Sequence, residues 1–417
     1  MPRRRLFCPI AIATLLLTPP LLACMWDHDT LMMERQRFPT ALELITGKFL
    51  RHSPAYYQWR IEDRKRKLQT TPRNLRYYDD LAVAYDKLEK HDEAIETIRK
   101  KDAIQPGLYE TEANLGTFLI HSGRLEEGLA HIREAIKINP DAHFGREIYQ
   151  QLLVEYVLSR TSEQSPLSLP LNPAFDPDKN HASKPRGFAR FVLDRQLEDR
   201  TDDFDPREAE LRRAIKGVLG MMRFGNYDSP VLLEALGDLL SALDWTHDGK
   251  RLAARAYLKA SYEAKSDAAQ AAYRHLAKVA LQRQTVHKLT YEQLTLERLE
   301  ATFQKELQEA RRWHEQIVAD EKQWIAAGLD VDAEFARKYY TPPTIEYRDP
   351  AAARADLAAR ALPYGIGLLF LLFLAALAAS GYGLYRLQRR WFTRPPNTAA
   401  PSDTTTARAS AASRADA

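Results

Sequence analysis

LRYYDDLAVAYDKLEKHDEAIETIRKKDAIQPGL (residues 75–108) runs directly into YETEANLGTFLIHSGRLEEGLAHIREAIKINPDA (residues 109–142). The two segments have equal length and align residue for residue. Pro72, Pro106 and Pro140 stand 34 residues apart, and a fixed period of this size marks a stack of structural repeats. In the first segment Leu81, Ala82 and Tyr85 fall on one helix, while Ala94, Ile98 and Pro106 mark a second helix and its end. The matching residues of the second segment are Leu115, Gly116 and Leu119, then Gly128, Ile132, Ala135 and Pro140. Small residues at Ala82, Gly116, Ala94, Gly128 and Ala135 let helices approach closely. Larger ones fill the space between them, and proline stops each second helix because it cannot continue the hydrogen-bond ladder.

This pattern resembles the tetratricopeptide repeat, a helical hairpin of the same period. Two features depart from it: Lys101 takes a slot that is usually alanine, and the early tryptophan is absent from both segments. The resemblance implies that the first helix of each hairpin lines a concave face that takes a protein or peptide partner. The positions are Arg76, Asp79, Val83, Asp86, Lys87, Glu110, Ala113, Asn114, Thr117, Ile120 and His121. Chaperone-binding members of the family hold a C-terminal carboxylate with lysine and asparagine. Only Asn114 matches that clamp, and Asp79 stands where the lysine would be, so a basic or extended apolar segment fits better.

Two repeats cannot cover their own apolar faces, so flanking helices are expected. Residues 42–50 and 55–68 supply them upstream. Residues 143–160, with Phe144, Ile148, Leu152, Leu153, Tyr156 and Val157, supply one downstream. Together they make an N-terminal domain over 24–160. Residues 161–187 hold five prolines, at 166, 170, 173, 177 and 185, and read as a linker that is either a hinge or an ordered excursion. A second helical domain follows over 188–285. In it Leu236, Gly237, Leu240, Ala253, Tyr257 and Ala260 resemble a degenerate repeat with a long turn at 244–249, and a further helix follows at 268–281.

Thr290 and Gln293 form a capping box that opens a long helix within 288–328, with Gly328 as its stop. Leu296, Phe303, Ala310, Ile317 and Trp324 recur every seven residues; Leu299 and Trp313 begin a second line that Glu306 and Asp320 break. The stripe either packs on the repeats or forms a coiled coil. The second option gives a homo-oligomer through 290–327 and, as an alternative function, a structural spacer or assembly subunit.

The two ends point to export and a membrane anchor. Arg3, Arg4 and Arg5 precede an apolar run, so 1–23 reads as a secretory signal. Leu21, Leu22, Ala23 and Cys24 resemble a bacterial lipobox, making Cys24 either a lipidated first residue or a lone thiol. Residues 364–385 carry no charge over 22 positions, long enough to span a bilayer. Tyr364, Tyr382 and Tyr385 flank the span, and Arg386, Arg389, Arg390 and Arg394 follow on the side that stays cytoplasmic. The expectation is a single-pass protein of the bacterial inner membrane, with 24–363 periplasmic and a disordered cytoplasmic tail at 386–417.

With 17 glycines and few alternating runs, the chain reads as all-α. Its 60 basic and 56 acidic residues leave a net charge of only +4, which makes no case for nucleic acid. Of two cysteines, Cys8 lies in the signal, so the exported body has no disulfide of its own. Neither a GxSxG elbow nor a phosphate-binding glycine loop occurs. His314 and Glu315 begin a zinc-protease string, but Val318 stands where the second histidine must be. The string from Cys24 to Asp29 offers ligand types too close together to converge on one ion. No catalytic residue, metal site or cofactor is therefore expected. The reading is a non-enzymatic, membrane-anchored extracytoplasmic scaffold, which a clustered acid–base pair within 188–285 would reopen.

Overall fold

The computed structural model describes residues 27, 32–33, 37–142, 145–161, 167–172, 185–197, 204–243, 247–282, 294–340 and 380–384. They are helical, with no strand among the described residues. The chain divides into two compact units, Met1–Pro343 and Thr344–Ala417. Only 380–384 are described in the second, as one exposed helical turn. The rest of the expected span at 364–385 lies outside the described residues, as do the signal 1–23, Cys24 and the tail 386–417. No helix among the described residues is long and apolar enough to cross a membrane.

The first unit opens with α1 (Ala41–Thr46) and α2 (Pro54–Thr70). Thr40 and Glu43 cap α1 reciprocally, and Gly47, at φ 79°, ends it earlier than the expected 42–50. The repeats follow as two hairpins: α3 (Leu75–Lys87) with α4 (His91–Ile104), and α5 (Tyr109–His121) with α6 (Leu125–Ile138). Each hairpin turns through one left-handed residue at the same register, Glu89 at φ 60° and Gly123 at φ 85°. Gly116 and Gly128 bring α5 and α6 into backbone contact: a Cβ on Gly128 would stand 2.6 Å from the Gly116 carbonyl oxygen. α7 (Arg146–Ser159) caps the array where 143–160 was expected to.

α8 (Gly187–Gln196) and α9 (Phe204–Phe224) pack on α7, and α10 (Pro230–Ala242), α11 (His247–Glu263) and α12 (Asp267–Gln282) complete the set. Leu236, Leu240, Ala253, Tyr257 and Ala260 are buried together as a third hairpin. Gly237 lies under the Tyr257 ring, which a Cβ there would meet at 2.6 Å. The turn is shorter than 244–249, because α11 already starts at His247.

The division into separate domains over 24–160 and 188–285 is corrected by the core. One apolar cluster runs from Leu44 and Ile45 through Leu153 and Val157 to Leu232, Leu236, Phe303 and Leu307. The described part of 161–187 belongs to it as an ordered excursion. Leu171 is buried, and the Leu171 and Asn172 amides donate to Glu234 at 2.9 and 3.1 Å. Burying such a leucine side chain contributes roughly 1.5–3 kcal/mol, which pins the segment to α10.

The long helix, α13 (Leu296–Ala326), is capped by Thr295 and stops at Gly328, at φ 68°. Thr290 and Gln293 lie outside the described residues. Its stripe faces the chain's own helices: Phe303 stacks near Tyr262, while Ile317 and Trp324 pack with Tyr56 and Phe335. Phe335 belongs to α14 (Val331–Tyr339), which folds back on α13. The residues that interrupt the heptads are the ones that tie the helix down. Glu306 takes both arms of Arg255 at 2.8 Å, and Asp320 accepts from Lys338 and Tyr339. Of the two readings of the stripe, packing on the chain's own helices is the one seen: Phe303, Ile317 and Trp324 are buried within the chain.

Candidate functional site

The eleven positions assigned to a concave face do cluster on α3 and α5, but most are closed off from solvent. Asp79, Val83, Asp86, Ala113, Asn114, Thr117 and Ile120 are buried. Arg76 is exposed and Glu110 half-buried at the amino-terminal ends of their helices. The expected open groove is therefore corrected to an internal polar face with a narrow rim.

Asp79 accepts from the Lys101 ammonium at 2.7 and 2.8 Å and from the Asn114 amide at 3.2 Å. Burial pushes the Asp79 carboxyl up to about 7, against the pull of Lys101. This pair accounts for the departure at Lys101, whose charge is answered across the hairpin. In the second repeat the same two slots hold Ala113 and Ala135. Deeper along α3, the Lys87 ammonium donates to the Phe224 and Gly225 carbonyls at 2.9 and 2.6 Å, capping α9. Burial lowers it to about 8. Thr117 accepts from Gln150 of α7 at 3.1 Å.

What closes the face comes from far along the chain. Arg60 donates to Asp27 at 3.0 Å, and Arg223 to the Met33 carbonyl at 2.6 Å. A cavity of about 40 Å³ remains between Asp27, Met33, His52, Val83, Lys87 and Phe224, room for little more than water. Arg64 binds Asp80 of α3 at 2.8 Å as well as Asp63 and Asp332, joining α2, α3 and α14. No sequence signal marked Asp332 or Arg64, because charges on separate amphipathic helices look alike until the helices meet.

Asp86 gathers two imidazoles. Its carboxylate accepts from Nδ1 of His91 at 2.8 Å and from Nδ1 of His121 at 2.8 and 3.0 Å. Burial opposes the Asp86 charge, but the two imidazoles outweigh it and hold the carboxyl well below the usual range. Burial likewise opposes the charged form of His91, and Asp86 outweighs it, so His91 titrates higher than usual. These three are the side chains among the described residues grouped closely enough to hold a metal ion. Their spacing in sequence shows no ligand motif, so nothing local in the chain points to a metal site.

An acid pair does occur within 188–285. Glu234 accepts from the Leu171 and Asn172 amides and from Tyr273 at 2.8 Å; Asp238 accepts from the Phe188 amide at 2.9 Å and Tyr257 at 2.7 Å. Burial, and for Glu234 also the Asp238 charge, raises both carboxyls. The adjoining cavity, between Asn172, Arg186, Asp238, Ser241 and Tyr257, measures about 30 Å³ among the described residues, on the scale of a water molecule. With their oxygens occupied by backbone amides and tyrosine hydroxyls, the pair acts as a clasp for 167–172 and for the start of α8.

These features define an all-α protein of stacked helical hairpins, with an inner face braced by its own charges. A family model described as a tetratricopeptide repeat matches residues 75–106 and 113–142, so over this stretch the chain is a tetratricopeptide repeat protein. No curated protein matches it.

Proposed function

We propose that the protein is a non-enzymatic, membrane-anchored scaffold whose helical body lies outside the cytoplasm and binds another protein. The observation that carries this is the pair of tetratricopeptide hairpins, since repeats of this family serve as protein-interaction scaffolds and are generally not enzymes. Anchoring rests on the uncharged run 364–385 and the arginines after it, and export on the pattern of 1–23. The contact surface is the rim around Arg76 and Glu110, because the deeper positions are already engaged within the chain.

A photo-crosslinking residue placed at Arg76 in cells should capture a protein in the membrane fraction, and one at buried Asn114 should not. Failure at Arg76 and at the half-buried Glu110 and Glu112 would overturn the binding reading. Reporter fusions after residue 343 and after residue 417 should report opposite sides of the membrane; the same side for both would overturn the single-pass anchor.

A further inference from the structure

We infer that Asp86, His91 and His121 form a binding site for one divalent transition-metal ion of the zinc class. Asp86 lies in the last turn of α3, His91 is the first residue of α4 and His121 the last of α5. Only the stacking of one repeat on the next brings them together. Two imidazoles and a carboxylate are a donor set that suits zinc, cobalt, nickel or copper. One donor atom from each residue lies within 4.8 Å of the others, and the nitrogen–oxygen separations are 2.8 Å. Around a tetrahedral ion with bonds of about 2.0–2.1 Å, neighbouring donors stand about 3.3 Å apart. Movements of about half an ångström therefore admit the ion, which takes the place of the two Nδ1 protons.

The hairpin framework does not itself require this trio. The counterparts of Asp86 and His91 in the second repeat are Ile120 and Leu125, so the same layer is built there from apolar groups. Access lies on the His91 side, where the side chain is 21% exposed against 2% for Asp86. Three protein ligands leave a fourth position for water or for a partner's side chain. An ion here ties the two repeats together, and no cysteine lies among the described residues to do so.

The test uses full-length protein without a polyhistidine tag, stripped by a chelator and titrated with Co²⁺ and then Zn²⁺. One equivalent of Co²⁺ should give visible d–d absorption that Zn²⁺ abolishes, and Zn²⁺ should raise Tm. His91→Ala and His121→Ala should each weaken binding by more than about tenfold and remove the rise in Tm. Because the His91 side chain is partly exposed, His91→Ala is the variant that keeps its fold, which circular dichroism checks. No absorption and no change in Tm for the wild type would overturn the site. Undiminished binding by a folded His91→Ala variant would do so equally, placing the ion elsewhere.

Discussion

Residues 75–108 close on an ion pair, whereas residues 109–142 close on two glycines. The hairpins are otherwise superimposable in register. Gly116 against Gly128 in the second repeat becomes Ala82 against Ala94 in the first, and Ala113 with Ala135 becomes Asp79 with Lys101. In the second hairpin the helix backbones touch, and little side-chain volume is needed between them. The first leaves room for a charged pair that also reaches Asn114 of the next helix. The same fold thus accepts a dry, tight seam or a polar one, provided every buried charge is answered.

Breaking the polar seam on one side should have the largest effect. Lys101→Ala leaves the Asp79 carboxyl buried without its ammonium and should cost about 3–5 kcal/mol in urea unfolding. Replacing both residues by alanine converts the seam to that of the second repeat and should recover most of the loss. About 1 kcal/mol should remain, because Asn114 loses an acceptor. If the double variant is as unstable as Lys101→Ala, the two seams are not equivalent devices.

Tightness is the property to break in the second repeat. Gly128→Ala sets a methyl 2.6 Å from both the Gly116 carbonyl oxygen and Ile120 Cγ1. Backbone must then move, at about 1–3 kcal/mol. The reverse change in the first repeat, Ala94→Gly, meets no such contact and should cost only about 1 kcal/mol, chiefly in helix propensity. Equal losses in thermal unfolding would show that α5 and α6 are not held at backbone contact.

Periodicity, small residues and prolines made the hairpins legible, because these features act within a few turns of chain. Lys101 stood out only as a misfit. Its explanation, Asp79, lies one helix away and resembles any surface acid until the hairpin forms. The closing of the inner face was not legible at all. Lys87 meets Phe224, and Arg223 meets Met33, across separations that no local pattern encodes. α13 shows the intermediate case: the heptad stripe was plain, but its partner was not. Glu306 and Asp320 looked like faults in the seam because Arg255 and Lys338 could not yet be placed beside them.

The third hairpin extends the comparison to buried acids answered by neutral donors. Folding raises Glu234 and Asp238. A carboxyl raised by folding holds its proton more tightly in the folded chain than in the unfolded one. Its contribution to stability is therefore full at acid pH and is lost as pH rises from the ordinary carboxylate range toward neutrality. Glu234→Gln lowers stability throughout, since its amide nitrogen faces a backbone donor. It should nevertheless shrink the loss between about pH 5 and about pH 8 by about 1 kcal/mol or more. An unchanged slope would mean that Glu234 is ionised in the folded chain.

The two turns give the finest comparison. Both need a left-handed residue, and only the second supplies glycine. A side chain in that region costs roughly 1–2 kcal/mol, part of which glycine would return as unfolded-chain entropy. Glu89→Gly should therefore raise stability by about 0.5–1 kcal/mol, and Gly123→Ala should lower it by about 1 kcal/mol. Both are read as shifts of the urea midpoint at constant slope. A fall on Glu89→Gly would mean that the glutamate side chain contributes more than its strained backbone costs. The nearby charge on His91, which Glu89 favours, is where that contribution would lie, and measuring Glu89→Gln beside Glu89→Gly separates charge from backbone.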